Sequence, residues 1–238
     1  MKIFKAAVML TLVLLSVGAV QAQTAEEIAN KYVEAIGGKE KLQGLKSVYM
    51  ESTTNFMGTE GNSNISALFG VGYRMNSEMR GQPIVMVLTE KGGWQINPFM
   101  GATTPTALPE EMFKETKGRI DIFGPLNNYA AKGNKLELLG KDAGKYMIKV
   151  TTPDSATSTV YIDSATYYMT KVVTSATMMG QTMEVTTTNS DFKKEKEGIV
   201  FPHSIEISYN SQFNVTTTVN KIELNKQIDP SIFEMPKS

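Results

Sequence analysis

The residue types that carry most enzymatic chemistry are scarce in this chain and poorly spaced for it. His203, in Phe201-Pro202-His203-Ser204-Ile205, is the single histidine of 238 residues, and cysteine is absent. Thiolate catalysis, sulfur-ligated metals, disulfides and a multi-histidine metal site within one chain are thereby excluded. No glycine-rich phosphate loop opens a helix, and no nucleophile stands with a histidine and a carboxylate in a triad-like pattern. A lone strand histidine is expected to be satisfied by a neighbour, and the scattered carboxylates are expected to be solvated. The sequence points away from catalysis and implies no metal and no cofactor.

The chemistry that remains is apolar contact. Methionine is in excess, with 15 residues of which Met1 and Met9 fall near the start. Its thioether is flexible and polarizable, suited to surfaces that accept ligands of varying shape as well as to filling gaps in a core. Met50, Met75, Met79, Met86, Met147, Met169, Met178, Met179 and Met183 lie in or beside predicted strands. Trp94, the only tryptophan, precedes a proline- and glycine-rich stretch and is either a pocket-mouth residue or a core aromatic. Met50, Phe56, Met75, Trp94, Ile96, Phe99, Phe123, Leu126 and Met183 are the candidate lining of an apolar cavity. Arg74 and Arg80 alternate with Tyr73, Met75 and Met79, so they are expected on the opposite face.

Residues 1–22 read as a secretory leader: Lys2 and Lys5, an apolar run from Ala6 to Val17, and Val20-Gln21-Ala22 as the cleavage site. The apolar run is shorter than the ~20 residues a membrane span needs. With no cysteine after the leader, no lipidation is expected there. The mature chain, 23–238, is then one domain in an exported, periplasmic location. Basic and acidic residues balance at 24 each, so there is no electrostatic case for nucleic acid.

Elements follow from period. Thr24 to Ile36 is a capped amphipathic helix ended by Gly37-Gly38, and a second short helical turn covers Lys39 to Leu45. Ser47 to Met57, Asn64 to Val71, Gly72 to Arg80, Pro83 to Glu90 and Gly93 to Asn97 read as strands joined by hairpin turns. Between Pro98 and Gly133 the period changes. Glycine, proline and threonine dominate to Pro109; Glu110 to Thr116 and Ile120 to Ala131 then look helical, with a break at Gly124-Pro125. Lys135 to Leu139 and Lys145 to Thr151 resume the strands. From Ser158 to Asn225 a strict alternation runs through Val160 and Ile162, Val172 and Thr174, Met183 and Val185, Ile205 and Ile207, and Phe213 and Val215.

Every turn is too short for a crossover helix, so one large antiparallel sheet is expected. An open sheet of ~10 or more strands curls. The predicted fold is therefore mainly β: a half-open barrel whose concave face is covered by the N-terminal helices and the mid-chain insertion. Phe113, Ile120, Ile122, Phe123 and Leu126 of the insertion are expected to cover that face close to Trp94.

Five stretches carry a family resemblance: AEEIANKYVEAIGGKEKLQGLKSV, GGWQINP, VYIDSATYYMTKV, GIVFPHSIEIS and the closing IDPSIFEMP. With them the chain resembles the lipoprotein-carrier and lipoprotein-sorting superfamily of Gram-negative bacteria, LolA/LolB-like. The resemblance implies an incomplete barrel closed by helices and a cavity that takes up acyl chains of a lipoprotein or other lipid. It also implies a monomer that exchanges cargo with inner- or outer-membrane lipoprotein machinery. In that family an arginine near the cavity latches the helical lid, and Arg74 is the nearest match. A different reading of the same fold is an envelope sensor or protein-interaction module without lipid cargo.

Overall fold

The computed structural model describes residues 23–178 and 181–236; the expected leader, 1–22, and Met179 lie outside the described residues. Thr24 opens helix α1 (Ala25–Ala35) with a reciprocal capping box. Its hydroxyl accepts from the Glu27 N–H at 3.2 Å, and the Glu27 carboxylate accepts from the Thr24 N–H at 3.1 Å. A side-chain cap of this kind contributes about 1 kcal/mol. Ile28, Ala29 and Tyr32 bury one stripe of the helix, and Leu42 anchors the short α2 (Lys39–Gly44). Gly37 separates them at φ 137°, where a Cβ would press on Ile199 at 3.1 Å.

Thirteen strands form one antiparallel sheet, in the order β6-β5-β4-β3-β2-β1-β13-β12-β11-β10-β9-β8-β7. They are β1 (Ser47–Phe56), β2 (Thr59–Leu68), β3 (Gly72–Met79), β4 (Gln82–Thr89), β5 (Gly92–Asn97), β6 (Ala102–Ala107), β7 (Lys135–Asp142), β8 (Lys145–Thr151), β9 (Thr157–Asp163), β10 (Met169–Met178), β11 (Gln181–Lys194), β12 (Val200–Tyr209) and β13 (Phe213–Leu224). The chain enters mid-sheet, because β1 pairs with both β2 and β13. It meanders out to the edge at β6, crosses through the insertion to the other edge at β7, and meanders back to the centre. The two edge strands do not pair with each other, so the curled sheet is a half-open barrel.

Two expectations need correction. Ala102–Ala107, in the glycine-, proline- and threonine-rich start of the expected insertion, is a strand of the sheet: as an edge strand it has a neighbour on one side only, so Pro105 forfeits no ladder bond that the sheet requires. Ile120 to Ala131 is not a helix. Among the described residues of the insertion, α3 (Glu110–Thr116) and two 3-10 turns, Pro98–Met100 and Lys117–Ile120, are the helical pieces. Gly124 at φ 74° and Asn128 at φ 52° take the left-handed conformation, and side chains then hold the turns: Asn134 donates to Pro125 O at 3.0 Å and Lys132 to Gly124 O at 3.2 Å.

Three apolar clusters result. The largest joins α1, α2, Phe123 and Leu126 to Val48, Ile148, Val150, Val160 and Ile162. Tyr32 ties helix to insertion, its hydroxyl donating to Phe123 O at 2.7 Å. The second joins Met112, Phe113, Ile120 and Ile122 to Ala67, Tyr73 and Leu88. The third is different in kind: Val85, Val87 and Trp94 are covered by Ile228, Ile232 and Phe233 of the C-terminal segment.

Candidate functional site

Strand register sorts the side chains into two faces. Val48, Ala67, Tyr73 and Leu88 are cross-strand partners and pack under the helices and insertion, which defines the inner face. With the period of two, Met50, Ser52, Thr54 and Phe56 of β1 are inner, as are Ile65, Met75, Met86, Met183, Val185, Ile205, Ile207, Tyr209, Phe213 and Val215 on their strands. Charge is absent from these inner positions. Glu51, Arg74, Glu78, Glu184, Glu206 and Lys221 all fall at alternate, outer positions of the same strands.

The helices cover only part of the inner face. Phe56, Met183, Val185, Ile205, Ile207, Tyr209, Phe213 and Val215 are half-buried and lie outside the three packed clusters. Aromatic contacts organise this uncovered end: Phe213 stacks on Tyr209 at 4.8 Å between centroids and meets Phe56 edge-on at 5.9 Å. Hydroxyls interrupt it without adding charge, as in the 3.2 Å bond between Thr54 and Thr217. The result is a curved, uncharged trough, apolar with a threonine seam, continuing from the packed core toward the hairpin tips of β1–β2 and β12–β13.

The sequence-predicted lining residues separate into three groups. Met50, Phe56, Met75 and Met183 are on the inner face, Met50 and Met75 against packed clusters and Phe56 and Met183 in the trough. Phe123 and Leu126 are core: Phe123 is 6% exposed and sits between Phe69 and Phe201 with centroids 6.1 and 5.6 Å away. Trp94 and Ile96 are on the outer face, because Trp94 pairs with Val87 and Ile96 with Val85, one position out of phase with Leu88 and Met86. The insertion therefore covers the inner face away from Trp94. Phe99 is half exposed at the β5–β6 turn, far from burial by any cluster.

Arg74 does not reach the insertion. Its Nη1 donates to Ile232 O at 2.8 Å and its guanidinium lies 5.5 Å from the Trp94 ring, while Trp94 Nε1 donates to Phe233 O at 3.1 Å. The arginine latches the C-terminal segment to the outer face. His203 is satisfied on both sides, with Nδ1 3.0 Å from Val219 O and Nε2 3.0 Å from Glu195 Oε1. A second hollow, of about 600 Å³, opens on the outer face among Tyr49, Glu51, Asn62, Asn64, Asn76 and Glu78. Its polar groups are largely bonded to each other, as in Asn76 to Asn64 at 2.9 Å and Tyr49 to Glu51 at 3.0 Å.

The trough residues on β11 to β13 were present in the sequence as alternation, but nothing in the pattern distinguishes an inner position under a helix from one left open. Solved structures resolve the architecture. A LolA superfamily protein from Nitrosomonas europaea superposes with a TM-score of 0.59 at 13% identity, covering 90% of this chain and 98% of that one. The chain has a LolA-like fold. An outer membrane lipoprotein-sorting protein domain from Vibrio parahaemolyticus matches with a TM-score of 0.56 at 11% identity, over 88% of this chain and 95% of that one. No family model and no curated protein matches the sequence. The LolA-like fold is thus shared at the level of the whole half-barrel. Among the described residues no helix is long and apolar enough to cross a membrane.

Proposed function

We propose that the protein is a periplasmic, non-catalytic carrier or binding protein that holds acyl chains of a lipoprotein or other lipid in the uncovered inner face. The observation that carries this reading is the uncharged, half-buried trough from Phe56 to Val215, where a globular protein would ordinarily present polar side chains or complete its core. Apolar burial at roughly 25 cal/mol per Å² suffices to retain a chain there without any reacting group. Flexible Met183 and the aromatic ends suit a range of chain lengths. The likeness to a lipoprotein-sorting domain supports the same class of cargo. As an exported, single-domain chain, 23–238, it would act after removal of its leader and without lipidation of its own.

Native mass spectrometry of protein purified without detergent, before and after incubation with phospholipid vesicles, tests the reading. Retained or acquired lipid at one molecule per chain is expected. A protein that emerges lipid-free and stays so would instead favour a protein-interaction module.

A further inference from the structure

The outer side of a curled sheet is convex and ordinarily a solvated surface, yet here it holds the hollow of about 600 Å³ between β13, β1, β2 and β3. A bulge contributes to it. Glu51 pairs with Lys221 and Ser52 with Val219, so Asn220 is an extra residue on β13. Its amide crosses to the neighbouring strand and donates to Thr53 Oγ1 at 2.9 Å. Bulges of this kind bend a strand and re-aim a side chain.

Register builds the floor. Glu51, Asn64 and Asn76 are successive cross-strand partners on β1, β2 and β3, a polar row roughly 10 Å long at the usual strand spacing. Asn76 is fixed on both sides, accepting from Arg74 Nε at 2.9 Å and donating to Asn64 Oδ1 at 2.9 Å, while Tyr49 donates to Glu51 Oε1 at 3.0 Å. These bonds orient the row without exhausting it: among the described residues, the Asn64 amide hydrogens and Glu51 Oε2 have no partner. At the rim the side chains of Asn62 and Glu78 are exposed and likewise bond no described residue. No lysine, arginine or aliphatic side chain is among the residues that line the hollow.

That inventory selects a ligand class. An acyl chain finds no aliphatic surface to bury against, and two carboxylates without a lining cation repel phosphate and carboxylate groups. A polyamine would satisfy the carboxylates but, having only donors, would leave the amide N–H groups unused. A sugar hydroxyl both donates and accepts, which a row of mixed amides and carboxylates requires. We propose that the hollow is a saccharide site, taking an uncharged, disaccharide-sized ligand along the Glu51–Asn64–Asn76 row, with Asn62 and Glu78 bonding it from the rim. The site lies across the sheet from the trough and does not depend on the acyl-binding reading.

Cellobiose and N,N′-diacetylchitobiose, with spermidine as a cationic comparison, are titrated into isotope-labelled mature protein and followed by NMR through the side-chain amide signals of Asn62, Asn64 and Asn76. At least one disaccharide is expected to shift these signals saturably while the trough strand signals around Val185 stay in place. Asn62→Ala removes an exposed group without a protein partner, so it should weaken sugar binding about five- to tenfold at an unchanged melting temperature. Glu78→Gln keeps an acceptor and loses the charge, so sugar affinity should stay within about twofold. Laurate uptake by both variants should equal that of the wild type. Shifts with neither disaccharide, or sugar binding undiminished in Asn62→Ala, overturn the saccharide site and leave the trough reading untouched. Spermidine binding the same residues more tightly than either sugar, with loss in Glu78→Gln, overturns the ligand class.

Discussion

Arg74 shows how much a single residue's face decides. Alternation with Tyr73 and Met75 correctly places it opposite the apolar set, whereas a lid-latching role would require it to point inward. In the structure it donates to Ile232 O and lies over Trp94, so its work is structural and confined to the outer face. Arg74→Ala removes a charge-assisted hydrogen bond and a cation–π contact, and a loss of about 1.5–3 kcal/mol is expected. Thermal melting reads that loss, and Trp94 emission should shift to the red as its cover loosens. Lipid binding per folded molecule should not change. The methionines were less legible. Their number suggested a pliable surface, but Met86 and Met75 back a packed cluster while Met183 faces the trough, and composition has no information about which.

The elements were legible where period and punctuation agreed. α1, the short α2, α3 and the hairpin meander were all visible, because each is a local pattern closed by a cap or a turn. The stretch from Ile120 to Ala131 was not: apolar residues at 122, 123, 126 and 129 resemble a helical stripe, but Gly124 and Pro125 direct them into turns whose cohesion comes from Lys132 and Asn134, both distant in pattern terms. The closing segment was read only as a family-like ending, although it forms a strap. Phe233 lies over Gly72, where a Cβ would sit 2.9 Å from its ring. Phe233→Ala is expected to cost about 3 kcal/mol or more, as buried Phe truncations do, measurable by urea unfolding.

The insertion's tether has a definite pH dependence. The hydrogen bond from Lys117, and next that from Thr152, holds Asp154 well below the ordinary carboxylate value, at about 2. A carboxylate lowered in the folded state contributes stability above its unfolded pKa and loses it as pH falls through the folded one. The contribution is therefore complete at neutral pH and fades between about pH 4 and pH 2. Both partners are about two-fifths exposed, so screening keeps it below about 1 kcal/mol. Asp154→Asn should barely alter the melting temperature at neutral pH but should speed amide hydrogen exchange through Lys117–Ile120. At pH 2 wild type and variant should exchange alike there.

At the scale of the whole molecule, the chain entering mid-sheet and returning to its own first strand explains why one helical insertion can bridge both free edges. The N-terminal helices fill the packed part of the curve and the C-terminal strap covers the outer side, which leaves the inner face from Phe56 to Val215 as the trough. Putting aspartate at two inner positions separates fold from function. Ile162 is fully buried in the main core, so Ile162→Asp should unfold the protein. Ile207 is half-buried in the trough, so Ile207→Asp should leave most of the stability and remove most lipid uptake. Circular dichroism melts alongside vesicle-transfer assays would show whether the two effects part in this way.

The most direct measurement is photo-crosslinking with a fatty acid carrying a diazirine near its methyl end, followed by peptide mass spectrometry to locate the label. Insertion into inner-face residues of β1, β11, β12 and β13, such as Phe56, Val185, Ile207 and Val215, with loss of labelling on competition by unlabelled laurate, is the predicted result. Labelling spread over the outer face around Asn76 and Trp94, or labelling that competitor does not reduce, would contradict an acyl-binding trough.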